Sequence, residues 1–241
     1  MAKSRFPDDW KVLDHGPLEQ LADNLWWVSG ALPGMTLRRT MVVVRRADGT
    51  LVIHNGVAMR EEMQQQLESL GTPAILIVPN GWHRLDAPAY KKRYPALRVF
   101  APAGSRKKVE EAVPVDGTYE QFPADETVRL ETLHGMNEAE GAMIVTSGDG
   151  TTVVLNDAVF NMDKKTDFWG RLYTTVLGSA PGPRISRLMK LLAIKDKQAL
   201  RADLERYASL PDLVRFIVAH EKVAHGPDAR AALEQAATYL R

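Results

Sequence analysis

Cysteine is absent from the 241 residues of this chain. That excludes disulfides, thiolate metal ligands and a cysteine nucleophile. Long apolar runs are also absent. No stretch approaches the ~20 residues that a membrane-spanning helix needs, so no integral membrane segment is expected. Charge of one sign is lacking as well. Lys and Arg number 31 against 30 Asp and Glu, a net charge of +1. Such a balance argues against a nucleic-acid binder that relies on bulk charge. The opening residues, from Met1 to Trp10, carry no apolar core behind their charges, so they do not read as a secretory signal, and a cytoplasmic protein is expected. No Gly-x-Gly-x-x-Gly follows a strand, and there is no Gly-x-x-x-x-Gly-Lys, no Gly-x-Ser-x-Gly and no His-Glu-x-x-His. Nucleotide phosphate cradles and a serine-hydrolase elbow are therefore not indicated.

What is present is an α/β pattern. Residues 1–22 are polar, broken by Pro7 and Pro17, and read as a tail or an irregular cover. From residue 23 to 241 the chain reads as one domain. Leu25 to Ser29, Arg39 to Arg46 and Leu51 to His54 are expected strands, with Ala47-Asp-Gly49 as a hairpin turn. Met59, Met63, Leu67 and Leu70 recur at helical spacing, and core packing is the simplest role for those methionines. Ala74 to Val78 is a continuous apolar run, the mark of a strand buried on both faces. Pro79 ends it, and a polar loop with His83 follows. Tyr90 to Tyr94 reads as a solvated helix face, and Ser105 as the cap of a helix reaching Val113. The second half opens with strands again: Val128 to Thr132, then Ala142 to Thr146 and Thr152 to Leu155 around the hairpin loop Ser147-Gly-Asp-Gly150. A helical region of about fifty residues follows. Val214 to Val218 is the last buried strand, and Pro227 opens a closing helix. Two runs of strands, each ending in strand–helix units, suggest two sheets face to face with helices outside.

Four of the six histidines lie just after expected strands: His54, His83, His134 and His220. Asp157 sits at the end of another. Imidazoles and carboxylates are the usual donors of zinc and iron sites, and in open α/β sheets the chemistry gathers beyond strand ends.

The surroundings of these residues resemble the metallo-β-lactamase-like hydrolase superfamily. Asp23-Asn-Leu-Trp-Trp-Val is similar to its opening strand, and Asp48-Gly-Thr-Leu-Val-Ile-His-Asn to its second hairpin. Leu133-His-Gly resembles the loop that presents a metal histidine, Val154-Leu-Asn-Asp-Ala-Val-Phe the segment with the bridging aspartate, and Ile217-Val-Ala-His the strand ending in the last histidine. The resemblance runs from Asp23 to about Arg241 and implies a four-layer αββα sandwich. It also implies His134, Asp157 and His220 as metal ligands, with His225 as a substitute for His220. The departure is the His-x-His-x-Asp-His motif that hydrolytic members carry after the strand at 74–78. Here the residues are Asn80-Gly-Trp-His-Arg-Leu-Asp, which puts Asn80, Trp82, Arg84 and Leu85 on the four ligand positions. A small shift brings His83 onto one of them and Asp86 onto another. The chain thus looks like a divergent branch of that superfamily with a degenerate site.

Two functions follow as expectations. One is a mononuclear hydrolase using one zinc, iron or manganese ion on His83, His134, Asp157 and His220. The other is a metal-free protein in which Arg84 and Asn80 hold an anionic small molecule in the remnant of the site. A small-molecule substrate or ligand is the expected partner in both. The aromatics of 163–183 (Phe168, Trp169 and Tyr173) are better suited to a homodimer contact or a lid than to a membrane surface, because acidic residues interrupt the basic ones that follow.

Overall fold

The computed structural model describes residues 8–241. Seven strands make the first sheet, each beside the next in chain order. They are β1 Glu19–Ala22, β2 Leu25–Leu32, β3 Met35–Arg45, β4 Thr50–His54, β5 Thr72–Ile77, β6 Arg98–Ala101 and β7 Gly117–Thr118. β1 to β4 pair antiparallel, whereas β4 to β7 pair parallel. Parallel pairing needs crossovers, and α1 Glu61–Leu70, α2 Ala87–Arg93 and α3 Arg106–Val109 lie in them. The strand β1 falls within the stretch that reads as tail in the sequence.

The second sheet has five strands in the order β12-β11-β10-β9-β8. They are β8 Val128–Thr132, β9 Gly141–Ser147, β10 Gly150–Val154, β11 Leu213–Ile217 and β12 Ala224–His225. Between β10 and β11 the chain makes α4 Phe168–Arg171, a π-helical turn Leu172–Val176, α5 Arg187–Leu192 and α6 Lys197–Ala208. The closing helix is α7 Pro227–Thr238, which begins at its proline.

Side-chain alternation builds the four layers. Val42, Val44, Val52 and Ile77 of the first sheet meet Met143, Val145, Val154 and Ile217 of the second in one buried cluster. Their sequence neighbours face outward. Met41, Val43, Ile53 and Leu76 pack with Leu67 of α1 and Tyr90 of α2. Ile144, Val153 and Phe216 pack with Met189 of α5, Leu204 of α6 and Leu233 of α7. Because successive residues of a strand point to opposite faces, each central strand serves two cores. The αββα sandwich is the result.

Two expectations are corrected. Tyr90 is not on a solvated face: its ring is wholly buried and its hydroxyl donates to the Val57 carbonyl at 2.9 Å. Helix α3 stops at Val109, and the Ser105 hydroxyl donates to the Ala139 carbonyl at 2.6 Å instead of capping it. Among the described residues no helix is long and apolar enough to cross a membrane.

Candidate metal centre

Both sheets end at the same corner. β5 ends at Ile77, Pro79 follows, and the Asn80 side chain then folds the loop: its Oδ1 accepts the N–H of Trp82 at 2.9 Å and of His83 at 3.1 Å. Asparagine turns chains in this way because its side chain stands in for a backbone acceptor. The turn returns the His83 ring to the sheet, with Nε2 3.1 Å from Asp157 Oδ1. Asp157 lies just beyond β10, and His220 just beyond β11. His220 Nε2 is 3.3 Å from the same Asp157 oxygen. One donor atom from each of the three residues lies within 4.8 Å of the others.

Each member of the triad is held. His220 Nδ1 is 2.7 Å from the Arg38 carbonyl of β3, which can only accept, so Nδ1 carries the proton. The Thr40 N–H donates to the Ala219 carbonyl at 2.7 Å, fastening the same stretch to the first sheet. Phe160 stacks on the His220 ring with an interplanar angle of 12°. Asn80 Nδ2 donates to Asp157 Oδ2 at 2.8 Å and reaches Glu140 Oε2 at 3.3 Å. Glu140 Oε1 accepts the N–H of Asn156 at 3.0 Å and of Ala158 at 2.8 Å, the residues on either side of Asp157.

The electrostatics follow from burial and company. Burial by itself pushes Asp157 up, but the imidazoles beside it, His83 foremost, outweigh that and hold it well below the carboxylate range. Glu140 has no cation next to it. Burial, then the Asp157 charge, push it up to about 8. The negative charge of the pair is therefore favoured on Asp157, the carboxylate that faces the imidazoles.

The donor set fits a divalent ion. With Nδ1 protonated, a neutral His220 turns the lone pair of Nε2 toward a carboxylate oxygen. Two lone pairs facing each other at 3.3 Å repel unless a proton or a cation lies between them. A tetrahedral zinc ion with bonds near 2.0–2.1 Å spaces its ligand atoms about 3.3 Å apart. Two imidazoles and one carboxylate with open positions also suit iron(II).

Not every expected residue comes to this corner. His134 is apart: β8 is the edge strand of the second sheet, and the ring is mostly solvent-exposed, with Nδ1 3.0 Å from Asp203 of α6. Arg84 pairs with Glu111 at 2.9 Å and also donates to the Lys108 carbonyl. Asp86 pairs with Arg39 in the interior. His225 lies on β12 beside Arg215. His15 Nε2 accepts the Arg60 N–H at 2.9 Å, a structural role. His54 is buried with neither ring nitrogen hydrogen-bonded, and burial, then the nearby His83, hold its value down to about 3. Sequence reasoning missed Glu140, which offers no signal beyond being the second of two acids, after Glu138, at the head of an apolar strand. It also missed the Arg38 carbonyl, because a backbone acceptor has no sequence signature.

A cavity of about 260 Å³ opens directly onto the triad. Its walls are largely apolar, with Leu32, Met35, Leu37, Leu188 and Met189 among them, and Trp82 and Tyr173 also border it.

No family model matches the sequence, and no curated protein matches it by sequence. Solved structures do match. The metallo-β-lactamase DIM-1, crystallised after exposure to ceftazidime, superposes with a TM-score of 0.63 at 12 % identity, covering 96 % of this chain and 100 % of its own. A metallo-β-lactamase from Hirschia baltica gives a TM-score of 0.59 at 13 % identity, covering 96 % and 99 %. With two packed sheets, helices outside and near-complete mutual coverage, this chain has the metallo-β-lactamase-like fold, in a widely divergent sequence.

Proposed function

We propose that the chain is a mononuclear metal-dependent hydrolase whose ligands are His83, Asp157 and His220. The observation that carries the reading is the convergence of those three donors, from both sheets, at the mouth of a cavity. Asn80 stands on the first of the usual ligand positions and spends its amide on Asp157 and Glu140, which supports one ion over two. His83, Asp157 and His220 would hold a divalent ion, and the chemistry it would supply there is acidification of a water and polarisation of a carbonyl or phosphoryl oxygen. The protein's own contribution is orientation. The Arg38 carbonyl fixes the His220 tautomer, Asn80 fixes the Asp157 carboxylate, and Glu140 fixes the backbone around it. Such supporting partners set ligand geometry and basicity. The metal-free, anion-binding alternative has less support, because Arg84 is engaged by Glu111 and Lys108 and is not a wall of the cavity.

Elemental analysis of protein purified without a metal-affinity tag tests the reading. About one zinc, iron or manganese ion per chain is expected. Chelator-sensitive hydrolysis in an ester, amide and phosphodiester screen is expected to follow. A chain that takes up no ion even after soaking overturns it.

A further inference from the structure

We infer that the cavity beside the triad takes an uncharged, apolar group, so that the substrate is a neutral ester or amide with an alkyl or aryl acyl part. The inference rests on the proposed hydrolase for the reaction, but on the cavity alone for the substrate class. Hydrolysis of such a substrate adds one water across the acyl bond and releases a carboxylic acid and an alcohol or amine.

The cavity has two kinds of wall. One is the triad, His83, Asp157 and His220, with Tyr173 edge-on to the His220 ring at 6.2 Å between centroids. The other is apolar: Leu32, Met35, Leu37, Leu188 and Met189. Arg39, Asn55 and Ser186 also border the space and each has a partner, although Arg39 Nε has none; the Tyr173 hydroxyl and the Trp82 indole are the other polar groups of the lining residues. Arg39 is neutralised by Asp86 and donates to the Gly56 carbonyl at 3.1 Å. Asn55 donates to the Thr40 carbonyl at 2.7 Å, and the Ser186 hydroxyl accepts the Met189 N–H at 3.1 Å. A substrate carboxylate or phosphate placed among these walls would lose its water and gain no cation, which is costly. An alkyl or aryl group would gain, because burying apolar area is favourable in proportion to the area removed from water. Size sets the scale. An apolar cavity of 150 Å³ accepts benzene, so one of 260 Å³ has room for about ten non-hydrogen atoms.

The elements that form this wall have a second face. The turn Leu172–Val176 and α5 bring Tyr173 and Met189 to the cavity, while Leu172, Val176, Leu191 and Leu192 remain exposed on the same two elements. The wall is therefore a thin, doubly apolar layer.

The test is calorimetric binding of butanamide, octanamide and octanoate to the full chain, in chelator and again with one equivalent of zinc. Octanamide is expected to bind about a hundredfold more tightly than butanamide, because each added methylene is buried. Octanoate in chelator is expected to bind at least tenfold more weakly than octanamide, in the manner of a buried unpaired charge. Met35→Trp and Leu188→Trp, which fill the cavity at half-buried positions, should each weaken octanamide at least tenfold while keeping the native circular dichroism spectrum. Equal binding of the two amides, octanoate binding in chelator as well as octanamide does, or octanamide affinity unchanged in both folded variants, would each overturn the inference. Octanamide binding by a chain that takes up no metal would confirm the pocket while removing the hydrolase. A loaded metal site with no dependence on chain length would do the reverse.

Discussion

Two His–Asp pairs in this molecule look alike in chemistry and differ in everything around them. His83 and Asp157 approach to 3.1 Å with side chains 8 % and 6 % exposed. His134 and Asp203 approach to 3.0 Å, but the His134 side chain is 72 % exposed. In the first pair a second imidazole and a bridging amide converge on the carboxylate, and a buried acid holds the backbone on either side of it. In the second, Asp203 is spent on the His134 N–H at 2.7 Å and on Arg206. Residue type and an adjacent strand end are thus shared by both pairs. Convergence from two sheets, away from solvent, belongs to one.

Breaking the buried pair should have the largest effect. Asp157→Ala and His220→Ala are expected to lower bound metal from about one ion per chain to below about 0.1 and to abolish hydrolysis, read by elemental analysis and by assay. His134→Ala is expected to keep both. Metal retained in full by Asp157→Ala would remove the ligand assignment. Next comes the clamp on the carboxylate. Asn80→Ala should weaken metal affinity about ten- to a hundredfold, as loss of a supporting hydrogen bond does, measured by competition with a chromophoric chelator.

A third prediction concerns pH and the metal-free chain. Burial and the Asp157 charge lift Glu140 to about 8, from 4.5 in the unfolded chain. Between those values the folded chain keeps a proton that the unfolded chain releases, so stability falls as pH rises. His54 works in the opposite direction: burial holds its folded value near 3, so its contribution is complete above 6.5 and is lost as pH falls. Of these two opposing groups, only Glu140 acts between pH 6.5 and 8. Across that window the Tm of the native chain in chelator should fall, and that of Glu140→Gln should stay nearly level. Parallel slopes would show that Glu140 is already ionised in the folded chain. The smallest effect belongs to the pair whose histidine is exposed. His134→Ala should change unfolding free energy by no more than about 1 kcal/mol, because the ring removed is mostly exposed and Asp203 keeps the residue-134 N–H.

Much of this was legible in the sequence. The apolar run at 74–78, the proline after it and the alternating strands of both halves fix the sandwich, since each dictates how a strand is buried. His83, Asp157 and His220 were legible because each follows a strand central enough to end at the common corner. His134 misled for the same reason: it too follows a strand, but whether that strand is central or at the edge is a matter of sheet order, which short-range patterns do not encode. Arg84 misled because its position in the loop says nothing of Glu111, 27 residues along the chain, which takes its charge. Glu140 was illegible since its work is done through backbone N–H groups, and those carry no residue identity.

His83 belongs to one sheet, and Asp157 and His220 to the other, with the Thr40–Ala219 hydrogen bond as a nearby stitch between them. The donor spacing is consequently a gauge of how the two sheets sit on one another. A slip of an ångström anywhere in the interleaved valines and isoleucines is delivered at this corner as a misfit of the ligands. Core residues far from this corner therefore tune the spacing of the three donors, and an ion held by them would act as a rivet through the sandwich.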